Sequence, residues 1–443
     1  MSAVEVVDDF LTPRWTTLIP HGEQERLVNS PARFKVAAAG RGSGKTELAM
    51  RELQIACWSP PKNVELPTFV ACGPTRNQMK RVWWEHLKAL TPPSLRRSIS
   101  ETELMITFWT GARLMLLGLD QPTSAEGLAI DGLVVDEIQE VKPDAWKSTL
   151  QPTLSRRGRR GWAWFIGRPR GRGYFYQLWS EARTKQDWDA FKWKSEEIID
   201  PESIAEAKRT LDPVTYAQEY DAEWVTFEGR AYYAYDSIKN VRSLSYAPAR
   251  PLILTFDFNV SPGSACVLQE QLVDGDRQLA TCAIGEVHVP RGSNTPIVCE
   301  RLATDWAHHK GPVEVYGDAT GGAHKTASTS GSDWDIIRAH FRTSFPQAQF
   351  FVPKANPLQR VRVNAVNGRC CNAMGERRFF ADPTKAPQLA LDMEGMALLE
   401  GGSGELDETD LLRGHWSSSV GYYIALRFPI ASREMQVSSF VSR

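Results

Sequence analysis

The chain has 443 residues, a net charge of −1, 42% apolar and 24% charged residues. Those values describe an ordinary globular protein of two or three domains and argue against a disordered or collagen-like chain. A nearly neutral total means that any nucleic-acid surface must come from local clustering of charge. The first ten residues, MSAVEVVDDF, are acidic and lack the apolar core of a signal peptide, and no run nears the roughly 18 apolar residues of a membrane span. Seven scattered cysteines form no CxxC pair, so free thiols in a reducing interior are expected.

In chain order, RFKVAAA, TFVACGP, ARLMLLGL, GLVVDE and WAWFIG read as strands. TELAMRELQIACW and RNQMKRVWWEHLKAL, placed between them, read as helices. Alternation of this kind predicts an α/β unit with a mostly parallel sheet covered on both faces. Residues 196–245 become helical and polar and end in the tyrosine-rich AYYAYDS, a connecting segment. PLILTFDFNV opens a second unit, followed by the strands SACVLQEQLV, QLATCAIGEVHV and VEVYGDATG and the helices DWDIIRAHF and VRVNAVNGRCCNAM. Three strands in series before a helix predict a mixed sheet. The expected domains are residues 1–230, with a lid and linker over about 170–247, and residues 248–443.

The chemistry concentrates at strand ends. AAGRGSGKT joins the first strand to a helix. A strand, a glycine-rich turn and a helix start aim backbone N–H groups and the positive end of a helix dipole at one point, which suits a triphosphate. Gly40, Arg41, Gly42, Ser43 and Gly44 would wrap the phosphates, Lys45 would reach the β and γ groups, and Thr46 would hold Mg²⁺. Ala39 stands where the usual pattern begins with glycine. GLVVDE supplies Asp136 for the Mg²⁺ shell and Glu137 to activate water. The stretch from Ser155 to Gly173 carries seven arginines around WAWFIG. Arg156, Arg157, Arg159 and Arg160 are the candidate contacts to nucleic-acid phosphates. In the second unit Asp257 and Asp318 each end an apolar strand. Together they are expected to bind Mg²⁺ or Mn²⁺ and hold a phosphodiester. A third ligand is sought near the last helix, where His415 and Asp410 are candidates.

At these residues the sequence resembles the large terminase subunit of tailed bacteriophages, over nearly its whole length. PHGEQERLVNS resembles the adenine-reading segment, with Gln24 as the reader. GRGSGKT, CGPTRNQMKRVWWE, GLVVDEIQEVKPDAW and GRPRGRGYFYQLW are similar to successive motifs of the ATPase half. FDFN and YGDATGG are similar to the first two metal motifs of a ribonuclease H-like nuclease. The resemblance implies an N-terminal P-loop ATPase that drives double-stranded DNA into a procapsid and a C-terminal metal-dependent endonuclease. It further implies ATP with Mg²⁺, and Mg²⁺ or Mn²⁺ at the nuclease. The implied partners are a portal protein, a small terminase subunit and other copies in a ring, usually pentameric. Its implied place is the host cytoplasm and transiently the procapsid, not the mature virion or a membrane. Two positions depart from the family pattern: Ser418 replaces the third nuclease aspartate, and Glu126 replaces an arginine, leaving Arg41 or a neighbouring subunit to complete the ATP site. The competing class is a nucleic-acid remodelling ATPase whose ribonuclease H-like domain binds without cutting. A metabolite kinase would leave the second half without a role.

Overall fold

A computed structural model of the chain describes residues 18–62, 64–156, 159–171, 173–225, 229–258, 262–273, 278–322, 332–399 and 404–430. The fold is α/β and divides into two compact units. One runs through Ile204 and takes back the segment beginning at Ala217; the other comprises Ala205–Tyr216 and the rest of the chain.

The first unit is built on eight strands of one sheet: β1 (Phe34–Ala39), β2 (Thr68–Gly73), β3 (Arg96–Ser100), β4 (Met105–Phe108), β5 (Arg113–Gly118), β6 (Gly132–Asp136), β9 (Trp162–Gly167) and β10 (Trp188–Trp193). Their order is β10-β1-β9-β6-β2-β5-β4-β3. Strands β7 (Ser155–Arg156) and β8 (Arg159–Arg160) form a separate two-stranded ribbon. From β10 to β5 every pairing is parallel; β4 and β3 close the far edge antiparallel. Apolar residues in β1 and β2 are continuous because both faces are covered. Ala37, Ala39, Phe69 and Ala71 enter one core, and Val36, Ala38, Val70 and Cys72 enter the other. Helices α1 (Gly22–Asn29) and α2 (Lys45–Trp58) flank β1, and α3 (Tyr174–Ala182) follows β9.

The expected helix RNQMKRVWWEHLKAL forms over residues 76–90, but its middle, Lys80–Trp84, widens into a π turn. Widening rotates the chain so that the consecutive Trp83 and Trp84 are both fully buried. In this unit β3, β4 and β10 were not among the expected strands.

The second unit holds a six-stranded mixed sheet. Its strands are β11 (Leu252–Asp257), β12 (Gly263–Leu272), β13 (Leu279–Val289), β14 (Val313–Gly317), β15 (Gln349–Phe351) and β16 (Phe379–Ala381), in the order β15-β14-β11-β12-β13-β16. β11–β12–β13 is an antiparallel meander, whereas β14 lies parallel to β11. Helices α4 (Thr295–Asp305) and α5 (Asp333–Ser344) share a core with Leu254 and Phe256. On the other face α6 (Gln359–Cys370), α7 (Pro387–Gly395) and α8 (His415–Arg427) share a core with Ile253 and Cys266. Tyr232 and Tyr235 are buried in that second core. The tyrosine-rich stretch therefore belongs to the packing of this unit rather than to a free connector. All seven cysteines are free.

Candidate functional site

Three neighbouring parallel strands of the first unit end side by side. β9 lies between β1 and β6, with Ala38 opposite Gly167 and Asp136 opposite Ile166. Residues just past these C-terminal ends therefore converge, as they do generally in open α/β sheets.

The glycine-rich loop leaves β1 at Gly40, whose N–H donates to Trp193 O. A Cβ at Gly40 would lie 2.3 Å from Ser195 Oγ and 2.5 Å from Tyr220 O, so only glycine fits. Gly42 and Gly44 adopt positive φ, +66° and +74°, which costs glycine little. The Ser43 hydroxyl donates to Gly40 O at 2.6 Å, and Ser43 O accepts both Gln24 Nε2 at 2.9 Å and Trp193 Nε1 at 3.0 Å. Gln24 is buried, and its Oε1 has no partner. Arg41 is tied down by its backbone: its N–H donates to Glu219 O at 2.6 Å and its carbonyl accepts Ser195 Oγ at 2.7 Å. The loop is thus a fixed cradle opening onto the first turn of α2, where backbone N–H groups lack intrahelical acceptors.

Five side chains meet there. Thr46 Oγ1 donates to Asp136 Oδ2 at 3.2 Å, and Trp83 Nε1 donates to the same oxygen at 2.9 Å. Burial and the adjacent Glu137 carboxylate push Asp136 up to about 6. Lys45 is almost wholly buried, with Nζ 3.9 Å from Glu137 Oε1. Burial works to raise Glu137, yet Lys45, Arg168 and Gln139 hold it below the usual carboxylate range. Glu137 occupies the left-handed region (φ +50°), a strained state for a residue with a side chain.

Arg168 was not singled out in the sequence. It follows β9 directly, with Nη2 3.6 Å from Glu137 Oε2 and Nη1 on Glu219. Its signal was positional, an arginine just beyond an apolar parallel strand. Trp83, the buried donor to Asp136, likewise gave no individual signal.

The arginine-rich stretch is placed only in part. Arg157 lies outside the described residues, and so do the side chains of Arg156 and Arg159. Arg160 is exposed and pairs with Asp187.

In the second unit Phe256 is in register with Gly317 across β11 and β14. Asp257 and Asp318 therefore leave the sheet side by side. Asp318 is held by Asn356 Nδ2 at 2.6 Å and by the Thr320 N–H at 2.7 Å. His415, the first residue of α8, places Nδ1 3.1 Å from Asp257 Oδ2 and Nε2 2.9 Å from Leu411 O. Both oxygens can only accept, so both ring nitrogens donate. Burial opposes that charge, but Asp257 and the Leu411 carbonyl prevail and raise His415.

Around this pair the other candidate ligands have protein partners: both ring nitrogens of His415 are hydrogen-bonded, and the exposed Asp410 turns to the Leu412 N–H and to Arg413. Among the described residues no three His, Cys, Asp or Glu side chains converge on a metal position. Asp257 and Asp318 remain, with Ser418 half-exposed in the first turn of α8.

Residues 36–240 match the family described as terminase large subunit, T4likevirus-type, N-terminal. The chain is 25% identical over 241 residues to the terminase large subunit of Escherichia phage T5, covering 51% of this chain and 53% of that protein. It is 24% identical over 255 residues to the counterpart in Thermus phage G20c, covering 49% and 51%. The matched region thus spans about half the length of these curated relatives. In fold, the chain resembles the large terminase of a thermophilic bacteriophage at TM-score 0.57 and 15% identity, over 92% of this chain and 99% of that one.

Proposed function

We propose that this chain, whose residues 36–240 match the terminase large-subunit N-terminal family, is a DNA-packaging motor subunit: ATP hydrolysis in the first unit drives double-stranded DNA into a procapsid, and the second unit cuts concatemeric DNA. The observation that carries the ATPase reading is the meeting of Lys45, Thr46, Asp136 and Glu137 at one end of adjacent parallel strands. The cradle at Gly40–Gly44 receives the phosphates, and Lys45 moves from Glu137 to their oxygens. Thr46 and Asp136, 3.2 Å apart, suit a shared hard cation, and Mg²⁺ bound there would neutralise phosphate charge. Released from Lys45, Glu137 orients the attacking water and accepts its proton. The unpartnered Oε1 of Gln24 supplies an acceptor for an amino group such as that of adenine. Arg41, within the cradle, and Arg168, beside Glu137, are candidates to complete the ATP site.

In the nuclease reading, Asp257 and Asp318 hold Mg²⁺ or Mn²⁺, which when bound activates water and clamps the scissile phosphodiester. Arg156, Arg157, Arg159 and Arg160 contact the DNA backbone. Partnership with a portal protein and a small terminase subunit, assembly into a pentameric ring, and action in the host cytoplasm and transiently on the procapsid, outside the mature virion, rest on the resemblance to that family. No helix among the described residues is long and apolar enough to cross a membrane.

A second reading, a remodelling ATPase whose second unit binds nucleic acid without cutting it, is favoured by Ser418 at the third acid's place and by the lack of a three-residue metal group among the described residues.

Glu137→Gln tests the ATPase assignment. It keeps the shape and loses the base, so ATP affinity should stay within about threefold while turnover falls by about a hundredfold or more. Turnover at the wild-type rate, or loss of binding, would remove Glu137 from that role.

A further inference from the structure

Arg362 lies in the first turn of α6, and its guanidinium carbon sits 4.2 Å from the centroid of the Tyr422 ring. Its Nε is buried without a hydrogen-bond partner, and among the described residues no carboxylate pairs with it. The contrast on the same helix is Arg369, which pairs with Glu270 at 3.2 Å. A partly buried cation with no counter-charge is costly to keep unless something else satisfies it.

What it faces suggests the occupant. Tyr422 is 6% exposed, and burial first, then the nearby Asp257 and Asp318 carboxylates, raise its phenol. Arg362 lies at one side of that ring, and Asp257 and Asp318 both act on the same phenol. The segment leading into α6 also fixes Asp318: Asn356 donates to Asp318 Oδ1 at 2.6 Å and accepts the Ala319 N–H at 2.8 Å. One stretch, 356–362, thus orients the Asp318 carboxylate and carries an unpaired guanidinium stacked on Tyr422. Two carboxylates alone repel a phosphodiester. A guanidinium attracts it, and its fork matches two phosphate oxygens.

We infer that Arg362, stacked on Tyr422, is the phosphate-binding residue of the Asp257–Asp318 centre and takes a non-bridging oxygen of a nucleic-acid phosphodiester. This rests on the nuclease reading above. In the opposing account Arg362 only packs against Tyr422 and offsets the two carboxylates through it.

The experiment compares full-length wild type, Arg362→Gln, Arg362→Lys and Asp257→Asn. Each is assayed for nicking of supercoiled plasmid with Mn²⁺ and for affinity to a short duplex with Ca²⁺ across a salt series. Arg362→Gln should nick about tenfold less, bind the duplex more weakly and lose about one unit of salt slope. Arg362→Lys should recover part of both. Wild-type behaviour of Arg362→Gln, beside an inactive Asp257→Asn, overturns the inference and leaves the nuclease reading intact. Nicking by Asp257→Asn at the wild-type rate sinks the nuclease reading instead; the duplex affinity of Arg362→Gln then still judges Arg362, and an unchanged value overturns it. If Arg362→Gln melts early, phenylglyoxal labelling of wild type, read by peptide mapping, replaces it. Protection of Arg362 by duplex is expected, and equal labelling with and without duplex counts against the inference.

Discussion

At the scale of residues, the charge arrangement around Glu137 says how the resting site is held. Lys45 and Arg168 both approach its carboxylate, at 3.9 Å and 3.6 Å, and Arg168 also grips Glu219. Because the Glu219 carbonyl accepts the Arg41 N–H, one arginine links the Glu137 carboxylate to the segment that pins the glycine-rich loop. Arg168→Ala would leave two carboxylates without their shared counter-charge. ATP turnover should fall by about tenfold to a hundredfold, with a smaller change in KM, because the loss falls on positioning rather than on phosphate contact. An unchanged kcat in steady-state assays would reduce Arg168 to a surface pairing. In the second unit the telling residue is Ser418. A hydroxyl is a weaker ligand for a hard cation than a carboxylate, so Ser418→Asp should raise Mn²⁺- or Mg²⁺-dependent nicking at low metal. A flat response in a metal titration would mean that two aspartates suffice.

At the scale of elements, the parallel strands carry the argument, and they were also the most legible part of the sequence. β1, β2, β5, β6 and β9 are continuous apolar runs because both faces of the sheet are covered. β3 (RRSIS) and β10 (WDAFKW) stand at the two edges of that sheet and are mostly half-exposed. Edge strands need few apolar residues, and their polar positions guard against pairing with other chains. That same polarity hid them. Lys45, Thr46, Asp136 and Glu137 were legible because a glycine-rich turn and an acid-ended strand are local patterns. Arg168 and Trp83 were not, because their roles depend on which strands are neighbours and on the π turn that aims Trp83 at Asp136. The element boundary at Gly40 yields a stability test. The Cβ in Gly40→Ala would press on Ser195 Oγ and on the Tyr220 carbonyl, and the carbonyl, being backbone, cannot swing aside. A loss of about 1–3 kcal/mol is expected, visible as a lower midpoint in denaturant melts. A wild-type midpoint would mean that the segment around Ser195 and Tyr220 moves freely.

At the scale of the whole molecule, the chain carries two candidate sites on two separate sheets. The expected start of the second unit, at residue 248, followed the first apolar strand. The structure instead gives Tyr232, Tyr235 and the Ala205–Tyr216 segment to that unit, because large aromatic side chains bury area that polar helical spacing does not reveal. The aspartate pair was legible from two apolar strands ending in acid. For a third member the sequence offered His415 and Asp410, which in the structure face Leu411 O and Asp257 for one and Leu412 and Arg413 for the other. The central claim is that the two sites work independently within one chain. The most direct measurement follows ATP hydrolysis and Mn²⁺-dependent plasmid nicking in parallel for wild type, Lys45→Ala and Asp257→Asn. Lys45→Ala should lose ATP hydrolysis and keep nicking, and Asp257→Asn should do the reverse. Loss of both activities in either correctly folded variant, or of neither, would contradict it.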